Sequence, residues 1–157
     1  DLPGQLHRNF MGYTTHAQTD LVGLGASAIS RIGSSYSQNP RELPAWEAAV
    51  DAGRLPVWRG LTLDADDELR AALINQLMCQ GEVDGRALAA RHGVDFDQYF
   101  AEALASLSAL QADGLADYRD GVVRATDRGR PLLRLLAMCF DRYLAQPDHP
   151  VRYSKAI

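Results

Sequence analysis

The stretch FDQYFAEALASLSAL, residues 96–110, has the clearest apolar periodicity of the 157-residue chain. Its apolar side chains recur at steps of three and four residues, which is the spacing of one face of an α-helix. They are Phe96, Tyr99, Phe100, Ala103, Leu104, Leu107 and Leu110. The pattern predicts one continuous helix whose apolar face packs into a core.

Two further helices are predicted upstream of this stretch. DADDELRAALINQLMCQ, residues 64–80, opens with Asp residues that suit an N-cap and first turn, and its leucines recur every four positions, at Leu69, Leu73 and Leu77. Gly81 is a plausible stop. DGRALAARHG, residues 84–93, predicts a shorter helix that ends at Gly93.

A hairpin and a last helix are predicted downstream. Asp120-Gly121 separates two short β-prone runs and indicates a type I′ turn, in which both central residues have positive φ. Thr126 is then expected to cap a helix in DRGRPLLRLLAMCFDRYLAQ, residues 127–146. Pro131 predicts a late start or a kink in that helix. Its expected inner face comprises Leu132, Leu136, Cys139, Phe140 and Tyr143.

Together these elements predict a mostly α, α+β protein with two domains. Three helices, a hairpin and a further helix favour a winged-helix-like domain over residues 61–157, with a β-hairpin wing and a C-terminal tail. Residues 1–60 differ, because they are rich in Gly, Ser, Thr and aromatic residues. The boundary is placed near LTLDADDE, residues 61–68.

Composition narrows the range of partners. The chain is 46% hydrophobic and 23% charged, with a net charge of −4, which does not favour a nucleic acid or an anionic membrane. No apolar run is long enough for a membrane span, and no signal peptide is recognisable. Cys79 and Cys139 are interpreted as buried free thiols of a cytosolic protein. The four histidines are scattered, so no metal ligand is predicted.

The winged-helix pattern raises the question of DNA binding. A groove-reading helix needs cations for phosphates and Arg, Lys, Asn or Gln for base edges. Residues 94–112 contain no Lys or Arg but three acids, Asp95, Asp97 and Glu102. No nucleic-acid partner is therefore expected.

A second motif, GLGASA at residues 23–28, matches the dinucleotide fingerprint G-x-G-x-x-A through Gly23, Gly25 and Ala28. A dinucleotide site also needs a following helix, whose N-terminus faces the pyrophosphate. Gly33, Ser34 and Ser35 stand where that helix would run, so the match is interpreted as accidental. The glycines instead predict a sharp turn or a close backbone approach.

Several blocks of the chain carry a family resemblance. They are LHRNFMGYTT (6–15), TDLVGLGASAIS (19–30) and YSQN (36–39), extended by WRG (58–60), DGL (113–115), TDRGR (126–130) and MCFDRYL (138–144). Together they resemble the oxygen-independent coproporphyrinogen III oxidases, a radical S-adenosylmethionine family. The first two blocks are long and unusual in composition, so they are the most specific.

The resemblance implies a function and a fold. These oxidoreductases of haem (porphyrin) biosynthesis convert two propionates of coproporphyrinogen III to vinyl groups without oxygen, giving protoporphyrinogen IX. They use a 4Fe-4S cluster and two S-adenosylmethionine molecules. Residues 1–60 would supply the last strands of a partial (β/α) barrel. Phe10, Met11 and Ile29 would lie against the second S-adenosylmethionine, although Met11 stands where the family often has Gln.

The chain lacks the cysteine triplet that holds such a cluster. It is therefore expected to be a fragment without catalytic residues of its own, whose cluster ligands lie in a preceding barrel. That barrel and the porphyrinogen are its expected partners, in the cytoplasm, and self-association through barrel edges is possible. The alternative interpretation is a freestanding winged-helix-like protein-interaction module.

Overall fold

A computed structural model of the protein describes residues 7–9, 12–16 and 19–144. It mixes helices with sheets and divides into two compact units, residues 1–68 and 69–157. No helix among the described residues is long and apolar enough to cross a membrane.

Short antiparallel strands dominate the first unit. Strands β1 (His7–Asn9) and β2 (Gly12–Thr14) form one pair. Strands β3 (Ile29–Ile32), β4 (Ser35–Gln38) and β5 (Arg59–Thr62) form a sheet in that order. Helix α1 (Leu43–Asp51), which we did not predict, connects β4 to β5 and carries a Pro in its first turn, where the missing N–H is not needed.

The described pairings differ in direction from those of a (β/α) barrel. All of them are antiparallel, whereas the strands of such a barrel run parallel. The assignment of residues 1–60 to a barrel therefore stays a prediction.

The second unit alternates helices with a small sheet. Helix α2 (Ala65–Gln80) spans the division between the units and is followed by β6 (Glu82–Asp84), α3 (Gly85–Arg91), α4 (Phe96–Tyr99) and α5 (Ala101–Ala112). Strands β7 (Ala116–Arg119) and β8 (Val122–Ala125) follow, then a 3-10 turn (Arg130–Leu132) and α6 (Leu133–Met138). The sheet order is β6-β8-β7, and β6 was not predicted.

The predicted starts of α2 and α3 are confirmed by their caps. The amide of Asp67 donates to Asp64 Oδ1 at 2.8 Å, and the amide of Asp64 donates to Asp67 Oδ2 at 3.2 Å, which is a reciprocal capping box. Asp84 accepts from the amide of Ala87 at 2.9 Å. These bonds satisfy amides that have no partner within the helix.

The predicted hairpin is also confirmed. Asp120 and Gly121 have φ of 53° and 85°, as a type I′ turn requires. The turn joins β7 to β8, and its Gly121 carbonyl accepts from the amide of Gly85 at 2.8 Å. The hairpin is thereby tied to the first turn of α3.

The prediction of one continuous helix over residues 96–110 is wrong. Phe100, with φ −103° and ψ 24°, separates α4 from α5. Its buried ring lies 5.2 Å from that of Phe96 and 5.6 Å from that of Phe140, measured between centroids. Because the chain turns there, Tyr99 is 40% exposed instead of lying on the inner face.

The last helix is shorter than predicted. Thr126 Oγ1 accepts from the amide of Gly129 at 3.1 Å, which caps a turn, but regular α-helix begins only at Leu133. The late start expected from Pro131 is therefore confirmed. Leu132 lies in the 3-10 turn and is 40% exposed, so its place on the inner face is wrong. The helix ends at Met138, before Cys139 and Phe140.

One apolar core holds the second unit together. Its members come from every helix of the unit and from each strand of its sheet. The largest fully buried side chains are Phe96, Phe100, Phe140, Leu69, Leu73, Leu77, Leu107, Leu136, Val83 and Val123.

Candidate functional site

The candidate site lies around the loop of residues 21–28 and the sheet that follows it. Ile29, one of the three predicted cofactor-binding residues, is the first residue of β3, is half-buried and pairs with Gln38 of β4. The other two, Phe10 and Met11, lie outside the described residues. Whether the three come together is therefore still a prediction.

Asn39 closes the loop from the far end of β4. Its Nδ2 donates to the carbonyl oxygen of Gly25 at 2.8 Å and to that of Gly23 at 3.4 Å. Its own amide donates to the carbonyl of Ala28 at 2.9 Å, and the side chain is only 6% exposed. The side-chain amide and the backbone N–H of this one buried residue thus hold three points of the loop, a role that sequence reasoning missed.

Ser30 and the backbone of β3 hold the same loop from its other end. The amide of Gly23 donates to Ser30 Oγ at 2.9 Å, and Ser30 is 8% exposed. Leu21 and Arg31 exchange two backbone hydrogen bonds, each 2.8 Å. Hydrogen bonds therefore fix the shape of the loop at both ends.

The two glycines of GLGASA have structural roles. Gly25 has a φ of +97°, which an L side chain rarely adopts, and so it permits the turn. A Cβ at Gly23 would lie 2.6 Å from the carbonyl oxygen of Ile29, so only glycine fits there. Strand β3, not a helix, follows Ala28. The dinucleotide interpretation that the sequence disfavoured therefore lacks the helix it needs.

Ile29 belongs to a row of side chains that crosses the sheet. The register pairs Ile29 with Gln38 and Gln38 with Arg59, and cross-strand partners share a face. Gln38 Nε2 donates to the carbonyl of Ser27 at 3.2 Å, and Arg59 Nε donates to Gln38 Oε1 at 3.0 Å. The row connects an apolar side chain at one edge to a cation at the other.

Comparisons with known proteins identify the domain. Residues 63–132 match the family described as HemN C-terminal domain. This part of the chain is similar to HemN C-terminal domains.

Relatives extend the similarity of this HemN-related chain beyond that domain. It is 45% identical over 154 residues to an oxygen-independent coproporphyrinogen III oxidase of Salmonella typhimurium, covering 98% of this chain and 34% of that protein. The enzyme of the same name from Pseudomonas aeruginosa is 44% identical, with coverages of 98% and 33%. The chain thus spans about a third of the length of the curated relatives it matches.

A solved structure agrees with the sequence comparisons. The structure is that of coproporphyrinogen III oxidase (HemN) from Escherichia coli, described as a radical SAM enzyme, and it matches with a TM-score of 0.85 at 44% identity. The match covers 89% of this chain and 32% of that one. The predicted resemblance to the oxygen-independent coproporphyrinogen III oxidases is confirmed.

A charged network within residues 63–132 involves Asp97, one of the acids counted against DNA binding. Arg86 donates to Asp97 Oδ2 through Nε at 2.9 Å and forms a 2.8 Å ion pair with it, while the Tyr118 hydroxyl donates to Oδ1. These hydrogen bonds, first from Tyr118 and then from Arg86, lower the pKa of Asp97. Desolvation, followed by the bond to Asp97, raises the pKa of Tyr118 to about 12. The network joins α3, α4 and β7.

The two cysteines of this HemN-related chain are free thiols, as predicted, but they are half-buried instead of fully buried. Cys79 Sγ donates to Asn75 Oδ1 at 3.2 Å, and Cys139 Sγ donates to the Leu135 carbonyl at 3.6 Å. Desolvation raises the pKa of the Cys139 thiol. Across residues 7–9, 12–16 and 19–144, no three His, Cys, Asp or Glu residues are grouped to hold a metal ion.

Proposed function

We propose that the chain supplies the C-terminal part of an oxygen-independent coproporphyrinogen III oxidase. The whole enzyme would oxidatively decarboxylate two propionates of coproporphyrinogen III to vinyl groups, giving protoporphyrinogen IX for haem synthesis in the cytoplasm. The observation that carries the proposal is the 45% identity over 98% of this chain to enzymes of that name. The likeness includes the strand-rich first unit, which a winged-helix interaction module alone would not need.

The first unit offers a wall for S-adenosylmethionine. An adenine or a methylsulfonium group needs an apolar surface and fixed polar backbone groups nearby. Ile29 supplies a half-buried apolar side chain, and Asn39 and Ser30 fix the adjoining loop. Ile29, with Phe10 and Met11, would hold the second of two cofactor molecules. When bound, S-adenosylmethionine supplies the radical chemistry that removes hydrogen from the propionate side chain.

The described residues do not fit a 4Fe-4S cluster, because they contain two separate cysteines and no grouped set of ligands. The proposal therefore assigns the cluster to an N-terminal barrel and derives no step through residues of this chain. This chain would form the apolar surface at Ile29 against which the cofactor packs, and it would contribute cations that face the substrate. A barrel edge in the first unit and a winged-helix-like second unit are parts of the proposal.

The test is an anaerobic assay on the full-length protein, reconstituted with iron and sulfide. We expect coproporphyrinogen III to be converted to protoporphyrinogen IX with consumption of S-adenosylmethionine. The 157-residue chain serves as the control, and it should bind no iron and cleave no cofactor. A reconstituted full-length protein that leaves coproporphyrinogen unchanged would refute the proposal.

A further inference from the structure

Three arginines of the first unit lie over aromatic rings. The Cζ atoms of Arg41 and Arg59 are 5.7 and 4.7 Å from the centroid of the Trp58 ring, and Cζ of Arg31 is 5.8 Å from that of Tyr36. Both distances to Trp58 are within the range of cation–π attraction. The indole is 55% exposed, so the Arg41–Trp58–Arg59 cluster is open to solvent.

These guanidinium groups keep hydrogen-bond donors available. Among the described residues, no carboxylate forms an ion pair with Arg31, Arg41 or Arg59. Arg59 uses its Nε on Gln38, which leaves its two terminal nitrogens unbonded to any described residue. Stacking on an aromatic ring fixes the plane of a guanidinium while its edge stays free, and that edge matches a carboxylate in bidentate geometry.

The position of Arg59 relates it to the candidate site. Ile29 and Arg59 lie in the same cross-strand row, two strands apart, and strands are spaced about 4.8 Å apart, so their backbones are separated by about 10 Å. Arg31 belongs to the neighbouring row, with Tyr36 and Leu61, on the same face. A carboxylate held by Arg59 would therefore lie close to whatever contacts Ile29.

We propose that Arg41 and Arg59, positioned by Trp58, bind a propionate carboxylate of the substrate beside the cofactor wall at Ile29. The inference rests on the proposed function, since it is that substrate which presents propionates. Charge complementarity carries it, because the cluster is cationic and neither arginine forms an ion pair with a described carboxylate. The two guanidinium carbons are at most about 10 Å apart, the sum of their distances to one ring centroid, so both could serve one substrate.

The experiment compares Arg41→Gln and Arg59→Gln in the reconstituted full-length enzyme. Each change removes a charge-assisted pair of hydrogen bonds, so we expect KM for coproporphyrinogen III to rise about tenfold, while kcat changes less than about threefold. Iron content and substrate-free cleavage of S-adenosylmethionine should match the wild type. Arg59→Lys keeps the charge but loses the paired N–H groups of the guanidinium. Its KM should lie between that of the wild type and that of Arg59→Gln.

The matched control is Arg54→Gln, another exposed arginine of the first unit, for which no ring contact is described. It should leave KM unchanged. If both cluster variants keep the wild-type KM in an active enzyme, the inference is overturned while the proposed function stands. If they lose iron or fail to fold, the stacking is structural and the inference is likewise overturned. An inactive wild type would instead refute the proposed function, and the inference with it.

Discussion

The two units of the chain are stabilised by different kinds of interaction. Of the buried apolar side chains that the structure describes, only Ala49 lies in residues 1–68, and the others lie in residues 69–157. The buried polar side chains show the reverse, since Ser30, Asn39 and Asp67 all belong to the first unit. Apolar burial holds the second unit, whereas the first relies on hydrogen bonds around its loop and its strands.

This difference indicates which unit has an apolar core of its own among the described residues. Burial of apolar surface is the main favourable term in folding, and a unit without it has little to offset the loss of chain entropy. The first unit also exposes large apolar side chains, among them Val22, Leu24 and Leu55. We infer that the described part of residues 1–68 has less of the apolar burial that stabilises the second unit. The following predictions test that contrast.

The largest effect is expected in the core of the second unit. Phe100→Ala removes a ring that contacts Phe96, Tyr99 and Phe140 and lies under the guanidinium of Arg70. The free energy of unfolding should fall by about 3–5 kcal/mol, as measured by urea denaturation. Tyr99→Ala, at the neighbouring exposed position, should cost less than half as much. Equal losses would contradict the description of the core.

In the first unit, the corresponding substitution removes a polar side chain. Asn39→Ala leaves the carbonyls of Gly23 and Gly25 without their side-chain donor, which should cost about 1–3 kcal/mol. Hydrogen exchange should quicken at the amides of residues 21–31 and stay unchanged in residues 101–112. Ser37→Ala, in strand β4 just before Asn39, is the control. Unchanged exchange in the loop would show that Asn39 does not hold it.

Ile29→Asp tests the site itself, in the full-length enzyme. If Ile29 contacts S-adenosylmethionine, the carboxylate must be desolvated when the cofactor binds, and affinity should fall at least about tenfold. Iron content should stay at the wild-type level, because the proposed ligands of the cluster lie elsewhere. Cofactor stoichiometry and iron are measured on the same sample. Loss of both would make Ile29 a packing residue, and wild-type values for both would remove it from the site.

A smaller effect is expected from the Asp97–Tyr118 contact at alkaline pH. The pKa of Tyr118 is raised in the folded state from 10.0 to about 12, so its contribution to stability is fully present below pH 10 and is lost as the pH rises towards 12. The loss should be at most about 1 kcal/mol, because the network is largely exposed. Tyr118→Phe should remove this pH dependence. Urea unfolding on either side of the transition measures it, and an identical profile in the variant would contradict the assignment.

The weakest signal is expected in a measurement of DNA binding. Residues 94–112 carry no cation, and Asp97 is paired within the domain. Duplex DNA should bind more weakly than about 10⁻⁴ M at physiological salt, without sequence preference. A gel-shift titration that finds a tight, sequence-dependent complex would reverse this conclusion.

Sequence reasoning succeeded where one local pattern determines the structure. The leucines of α2 and the Asp120-Gly121 turn are of this kind, because periodicity and positive φ are properties of short segments. It failed at Phe100, where no glycine or proline marks the break and packing against Phe140 accompanies it. It also missed β6, whose three residues are too short to show a period and form a strand by pairing with β8.

The candidate site was predicted less completely than the fold. Family resemblance pointed to Ile29, but neither composition nor periodicity indicated that Asn39 and Ser30 hold the loop. Polar residues in a short loop acquire such roles only through contacts between distant residues. The one local sign was an Asn before a Pro, a pair typical of turns. Helix α1 was a different kind of miss, since Pro44 at its start was visible.

Gly129, in the TDRGR block, packs so closely against the backbone of Leu115 that it has no space for a side chain. Its φ of −80° and ψ of −22° suit any L-amino acid, yet a Cβ there would overlap the carbonyl of Leu115. Gly25 is the opposite case, with open space around it and a φ of +97°. A D-alanine favours positive φ, so it matches the backbone conformation at position 25 and not the negative φ at position 129. D-alanine substitution by chemical synthesis would therefore distinguish glycines that are required for a positive φ from glycines that are required because they lack a side chain.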